Sequence, residues 1–155
     1  MKFDISKTIR GEEVPFTNPA QGFYDALGFE GMKEMMYRFY DCIYESDIAN
    51  FFPQDEDEFA AIKEKNTLFF IEICGGPKVY DEADGVDLNE FMIRIHDDFS
   101  IYDKSRLEWL GCMRETLDAT ELDEDLKMSF WKYVEAFSKL TVNSYVPERK
   151  FESMH

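Results

Sequence analysis

Only two histidines occur in the chain, His96 and His155, and that scarcity decides much of what it can do. A zinc protease of the His-Glu-x-x-His kind needs two imidazoles on one helix face, a triple-histidine zinc site needs three, and di-iron bundles need several, so none can be built here. No glycine-rich phosphate loop is present, and a nucleophilic triad would have to pair His96 with a serine or cysteine in no recognisable elbow. Cys42, Cys74 and Cys112 lie far apart in sequence and form no Cys-x-x-Cys pair. They indicate neither a disulfide framework nor a zinc knuckle, and each reads as a small buried hydrophobe.

His96 stands in Phe91-Met-Ile-Arg-Ile-His96-Asp-Asp-Phe99, flanked by apolar side chains. Two readings are open. One imidazole suffices as an axial ligand to haem, because the porphyrin supplies four ligands and a broad apolar surface. Otherwise it is a half-buried histidine bonded to Asp97 or to a backbone carbonyl. Asn66 falls inside the apolar stripe Phe59, Ile62, Phe69 and Ile73. An amide buried without a partner costs roughly 1–3 kcal/mol, so either a polar group waits opposite it or it sits at the rim of the core. Tyr40 and Trp109 lie on or beside inner helical faces and need hydrogen-bond partners if buried.

Elements must hold these residues. At 155 residues the chain is one domain's worth of material, and 15 Phe, 8 Tyr and 2 Trp exclude a disordered polymer. The formal charge is −16, a field that repels phosphate backbones and anionic headgroups, so neither nucleic acid nor a membrane is expected as partner. The longest apolar runs, such as Thr67 to Cys74, fall far short of the roughly 20 residues that span a bilayer, and the N-terminus has no apolar signal core, so a cytoplasmic protein is expected.

Residues 1–18 mix charges with Pro15 and keep no period, which predicts an extended arm; residues 19–147 form the domain and 148–155 a polar tail. A short helix over Ala20–Leu27 breaks at Gly28. Met32, Met35, Met36, Phe39, Tyr40 and Ile43 then mark one face of a helix over Phe29–Ser46. Pro53 interrupts the pattern, and the acidic run Asp55–Glu58 suits the positive end of a second helix, which Gly75-Gly76-Pro77 stops. Lys78–Glu90 is a long connection without convincing period. Ser100-Ile-Tyr-Asp103 and Thr120-Glu-Leu-Asp123 match the capping box and predict two more helices. Their inner faces are Leu107, Leu110, Met113 or Arg114, and Leu117 in one, and Leu126, Phe130, Val134, Phe137 and Thr141 in the other, with Pro147 ending the last. Nothing alternates as strands do, so the fold class is all-α.

Taken together, these residues resemble the group II truncated haemoglobins. The carrying features are Gly22-Phe-Tyr-Asp-Ala-Leu-Gly28, Arg38-Phe-Tyr40, Phe52-Pro53, Gly75-Gly-Pro77 with Tyr80, His96 with Phe99, Trp109-Leu-x-Cys-Met-Arg114, and the stretch opened by Thr120. The likeness spans roughly residues 20–145. It implies a truncated globin in which two helices cross two helices around haem b. His96 matches the proximal iron ligand, and Tyr40, Asn66 and Trp109 match positions facing the other side of the iron. Phe52 matches the corner aromatic that wedges the porphyrin, Phe69, Phe70 and Phe99 match haem-packing positions, and Lys65 and Tyr80 match sites that contact propionates in relatives.

The chain departs from the pattern at several points. Relatives usually carry Arg directly before the proximal histidine, where Ile95 stands here with Arg94 one position earlier. Ile62 occupies a gate position that is often small, Phe52 replaces a tyrosine found in some relatives, and the usual His-Ala-Pro-Phe reads His96-Asp-Asp-Phe99. The resemblance implies binding of O₂ and other diatomics such as NO and CO. Three polar residues on the distal side would hold O₂ tightly, for O₂/NO chemistry fed by a reductase rather than for simple oxygen transport, with nitric oxide dioxygenase-like or weak peroxidase activity. A monomer or homodimer is expected. The competing expectation is a haem-free helical interaction module that uses its acidic surface.

Overall fold

The computed structural model describes residues 3–83 and 85–145; Pro147, His155 and the 148–155 tail lie outside them. Five α-helices follow one another: α1 (Gln21–Tyr44), α2 (Glu56–Ile73), α3 (Leu88–Ile95), α4 (Asp103–Ala119) and α5 (Glu124–Thr141). Short 3₁₀ turns at Ala49–Phe51 and His96–Asp98 complete the regular structure, and no strand occurs among the described residues. α1 packs on α2 and α4, and α5 packs on both α4 and α1, so two helix pairs enclose one core. No helix among the described residues is long and apolar enough to cross a membrane.

The break expected at Gly28 is real, but the two segments it separates run on as one kinked element. Gly28 has φ 72° and ψ 177°, a conformation a side chain would strain. Beyond the kink, Met32, Met35, Met36, Phe39, Tyr40 and Ile43 are all buried, as their spacing requires. Asp55 caps α2 by accepting from the Glu58 N–H (3.0 Å), and Glu56, Asp57 and Glu58 fill its first turn, where the helix dipole favours negative charge. α2 ends at Ile73, and Gly75 at φ 99° turns the chain away.

Both capping boxes differ from expectation. α4 has Tyr102 as its N-cap with no side-chain bond, because Ile101 is already engaged: its N–H donates to Asn143 Oδ1 (2.9 Å), and its carbonyl accepts from the Asn143 and Ser144 N–H groups. Thr120 closes α4 instead of opening α5, its hydroxyl donating to the Thr116 carbonyl (2.8 Å), and Asp123 caps α5. The connection after α2 is shorter than expected, since its last residues form α3, capped by Asp87.

α4 buries Leu110, Met113 and Leu117 as their spacing predicts, and departs from the predicted face only in its first turn. Leu107 is 46% exposed while Arg106 is 2% exposed. The N-terminal arm causes this. Phe3 is buried, Trp131 Nε1 donates to the Asp4 carbonyl (2.9 Å), Arg114 donates to the Phe3 carbonyl (2.7 Å) and Arg106 to the Ser6 carbonyl (2.9 Å). Glu135 on α5 accepts from both the backbone and the hydroxyl of Ser6 and pairs with Arg106 (3.0 Å). The expected arm is therefore irregular but strapped across α4 and α5, which gives α5 a second buried side at Trp131 and Tyr133.

Candidate functional site

α3 ends on His96, whose backbone is still helical (φ −76°, ψ −13°), so its ring folds back along the last turn. Nδ1 lies 2.7 Å from the Met92 carbonyl. A carbonyl only accepts, so the proton belongs on Nδ1 and the Nε2 lone pair is left free. Burial pushes the imidazole pKa below its ordinary value against smaller opposing effects from the Met92 carbonyl and the Asp97 charge, which favours the neutral ring that a metal requires. The backbone-bonded histidine and the ligating histidine of the sequence reading are thus one arrangement.

Asn143, which the sequence reading passed over, fixes the segment behind the ring. Its Nδ2 donates to the carbonyls of His96 (3.2 Å) and Phe99 (2.8 Å), while its Oδ1 accepts from Ile101. An asparagine two residues past a helix end carries no signal of such a role.

Tyr40, Phe52, Asn66, Phe70 and Trp109 are brought together. Tyr40 is buried, with its ring 6.3 Å from that of Phe52 and 4.9 Å from that of Phe39. Phe39 in turn packs edge-on against Trp109 (5.0 Å), which lies 6.5 Å from Phe70. Burial raises the Tyr40 hydroxyl pKa well above its ordinary value, and the Asn66 amide lies close enough to oppose that rise. Asn66 is half-buried, at the rim of the core, and the Tyr40 phenol is its polar neighbour. Of the two indoles, Trp131 gives its N–H to Asp4, whereas no acceptor among the described residues takes that of Trp109. Ile62 is half-buried on the same helix as Asn66.

Phe69 lies deeper, 5.8 Å from Tyr80 and 6.1 Å from Phe137. Lys65 reaches Glu82 (3.9 Å). Burial, then the charges of Glu82 and Asp81, push the Tyr80 hydroxyl up to about 12. Arg94 points to Glu90 (3.1 Å) and stands 62% exposed.

In the stretch from Ile95 to Leu107, which includes His96, the large apolar groups Ile95, Phe99, Tyr102 and Leu107 are left 38–54% exposed. Such a concentration in one short stretch marks a surface made to be covered. One neutral imidazole with a free Nε2, an apolar margin and an aromatic cluster carrying three polar tips suit a flat, apolar macrocycle with a metal at its centre. Among the described residues no group of three or more His, Cys, Asp or Glu side chains could hold a bare metal ion instead.

The chain belongs to the bacterial-like globin family, whose model matches residues 22–143. It is 26% identical over 121 residues to the group 2 truncated hemoglobin YjbI of Bacillus subtilis (strain 168), covering 77% of this chain and 87% of that one. In fold it is similar to phosphate-bound Hell's gate globin IV (TM-score 0.78, 24% identity, 93% of this chain and 87% of that chain). It is likewise similar to a truncated oxygen-avid haemoglobin from Bacillus subtilis (TM-score 0.68, 24% identity, 78% and 98% covered). The expected two-over-two truncated globin is thus the fold observed. The family match begins at residue 22, after the strap.

Proposed function

We propose that this globin binds haem b through His96 Nε2 and holds O₂ tightly on the opposite side, for O₂ and NO chemistry in the cytoplasm rather than for simple transport. The observation that carries the reading is the pairing of a neutral His96, its Nδ1 tied to the Met92 carbonyl, with a cluster that gathers Tyr40, Asn66 and Trp109. When bound, ferrous haem supplies the single site at which a diatomic gas is taken up. The chain does the rest. The Trp109 N–H, the Tyr40 hydroxyl and the Asn66 amide are donors for the partly negative far atom of such a ligand. One charge-assisted hydrogen bond is worth about 1.5–3 kcal/mol, which slows release roughly tenfold to a hundredfold.

Phe52 and Phe70 wall the distal side, Phe99 and Phe69 serve the haem periphery and underlying core, and Lys65 and Tyr80 stand where propionates would approach. Lys65 is partly neutralised by Glu82, so its contribution there is small. Nitric oxide dioxygenase-like turnover requires electrons from a separate reductase, which we assign as partner, with the globin a monomer or homodimer whose domain spans residues 19–147. Peroxidase activity would be weak, since among the described residues no second imidazole stands beside the donors to act as base. A similar structure is described as oxygen-avid, which supports the same reading for this chain.

Stopped-flow O₂ release from the ferrous protein tests the proposal. Release that is slow and speeds up about tenfold or more in Trp109→Phe supports it. Release as fast as from a simple storage globin, unaltered by Trp109→Phe, removes it. A purified chain that shows no Soret band on adding haemin favours the haem-free interaction module instead.

A further inference from the structure

The sequence separates Cys42 and Cys112 by most of the domain, yet the fold places both on the seam where α1 meets α4. Cys42 lines a cavity of about 280 Å³ with Arg38, Asp41 and Glu45 of α1 and with Glu115, Thr116 and Ala119 of α4. Cys112 lies three and four residues before Glu115 and Thr116, one turn along the same face of α4. The two thiols are close enough to interact directly. Cys42 is half-buried at the cavity wall and Cys112 is buried, while Cys74 is buried at the C-terminal end of α2.

We infer that Cys42 and Cys112 are a dithiol site for small hydroperoxides, converted reversibly to a disulfide that staples α1 to α4. The accessible partner reacts first. The Cys42 thiol loses its proton and attacks one oxygen of ROOH; an S–O bond forms, the O–O bond breaks, and ROH leaves, giving a sulfenic acid on Cys42. The Cys112 sulfur then attacks the Cys42 sulfur, forming the S–S bond as the S–O bond breaks, and the Cys112 proton passes to the departing hydroxide so that water leaves. Overall, two thiols and ROOH give a disulfide, ROH and H₂O, with two electrons passing from sulfur to peroxide. Cys112 is suited to the second role by its position: burial, then the neighbouring Cys42 thiol and the charges of Glu115 and Glu108, raise its thiol above the ordinary value, so the accessible Cys42 meets the peroxide first and Cys112 gives up its proton only as the hydroxide leaves Cys42. The cavity, about 280 Å³, has room for a small peroxide at Cys42.

The bridge closes a loop of about 70 residues, long enough to raise Tm by roughly 5–15 °C. The experiment treats the full-length purified protein with hydrogen peroxide, with and without later dithiothreitol, and reads thiol count, peptide map and Tm. The inference expects free thiols to fall from three to one, a linked Cys42–Cys112 peptide, and a Tm rise reversed by dithiothreitol. Cys42→Ser and Cys112→Ser each abolish the linked peptide, and Cys74→Ser leaves it intact. Linkage through Cys74, over-oxidation of Cys42 without linkage, or three surviving thiols would overturn the inference. Haem is not needed for these readouts, so their failure leaves the gas-binding proposal untouched. One consequence does rest on that proposal. Tyr40 is two residues from Cys42 and Trp109 three from Cys112, so stapling these helices changes O₂ release about fivefold or more. An unchanged rate in the bridged protein refutes that coupling alone.

Discussion

At the scale of single residues, the argument turns on which atom of His96 is free. The residue type was legible from the start, because with two histidines in the chain only one lies in an apolar setting. Its tautomer was not legible, since it depends on Met92 standing four residues earlier on a helix that lacked a clear period in the sequence. Replacing His96 with Ala therefore removes the ligand without removing a structural hydrogen bond that other residues rely on. Haemin titration of His96→Ala should give no proximal-ligated Soret band, while far-ultraviolet circular dichroism stays within a few per cent of the parent. A normal band in that variant would place the iron elsewhere. The exposed Phe99 and Leu107 tell a related story. Periodicity assigned Leu107 to the core, and in the protein it stands at an open apolar margin, which a sequence pattern cannot distinguish from an inner face because both demand the same residue type.

At the scale of elements, the helices followed from spacing, but their ends did not. Ser100 and Thr120 both satisfy the capping-box pattern and neither opens a helix, since Asn143 claims Ile101 and the Thr120 hydroxyl turns back to Thr116. Local pattern lost to tertiary partners that lie 42 residues away in the first case. The same contacts make the segment from His96 to Ile101 an extension of the C-terminal end of α5. Asn143→Ala removes bonds to His96, Phe99 and Ile101 at once, and it should raise the haem dissociation rate about tenfold to a hundredfold while costing roughly 1–3 kcal/mol of stability. Asn143→Asp separates the roles, because a carboxylate keeps the acceptor for the Ile101 N–H and loses the donors to His96 and Phe99. If Asp restores haem retention as well as stability, the clamp on His96 is not what holds the ring in place.

At the scale of the whole molecule, the unexpected feature is how much of the domain the N-terminal arm completes. Charged side chains around Pro15 gave no sign that Phe3 is buried or that Arg106, Arg114 and Trp131 take backbone carbonyls of the arm as partners. Removing residues 1–8 leaves the Arg106 guanidinium and the Trp131 indole facing water and uncovers apolar surface on α4 and α5. The expected loss is about 3–6 kcal/mol, read as a fall in Tm of roughly 6–20 °C with a red shift of tryptophan emission.

The strap also has a pH signature. Burial alone would raise the Glu135 carboxyl, but bonds from the Ser6 N–H and hydroxyl and the charge of Arg106 outweigh it and hold its pKa below the ordinary 4.5. A carboxyl depressed in the fold contributes stability that is complete above its unfolded value and disappears as pH falls through its folded value. Glu135→Gln keeps the shape and loses the charge, so at pH 7 it should lie about 1.5–3 kcal/mol below the parent. Thermal melts between pH 7 and pH 3 should then find the gap constant down to about pH 4.5 and closing below it. In the chain lacking residues 1–8 the partners at Ser6 are gone, so Glu135→Gln should have a smaller effect there at every pH. An equal gap with and without the arm would mean that Glu135 stabilises α4 and α5 through Arg106 alone, and that the strap is held by its apolar contacts.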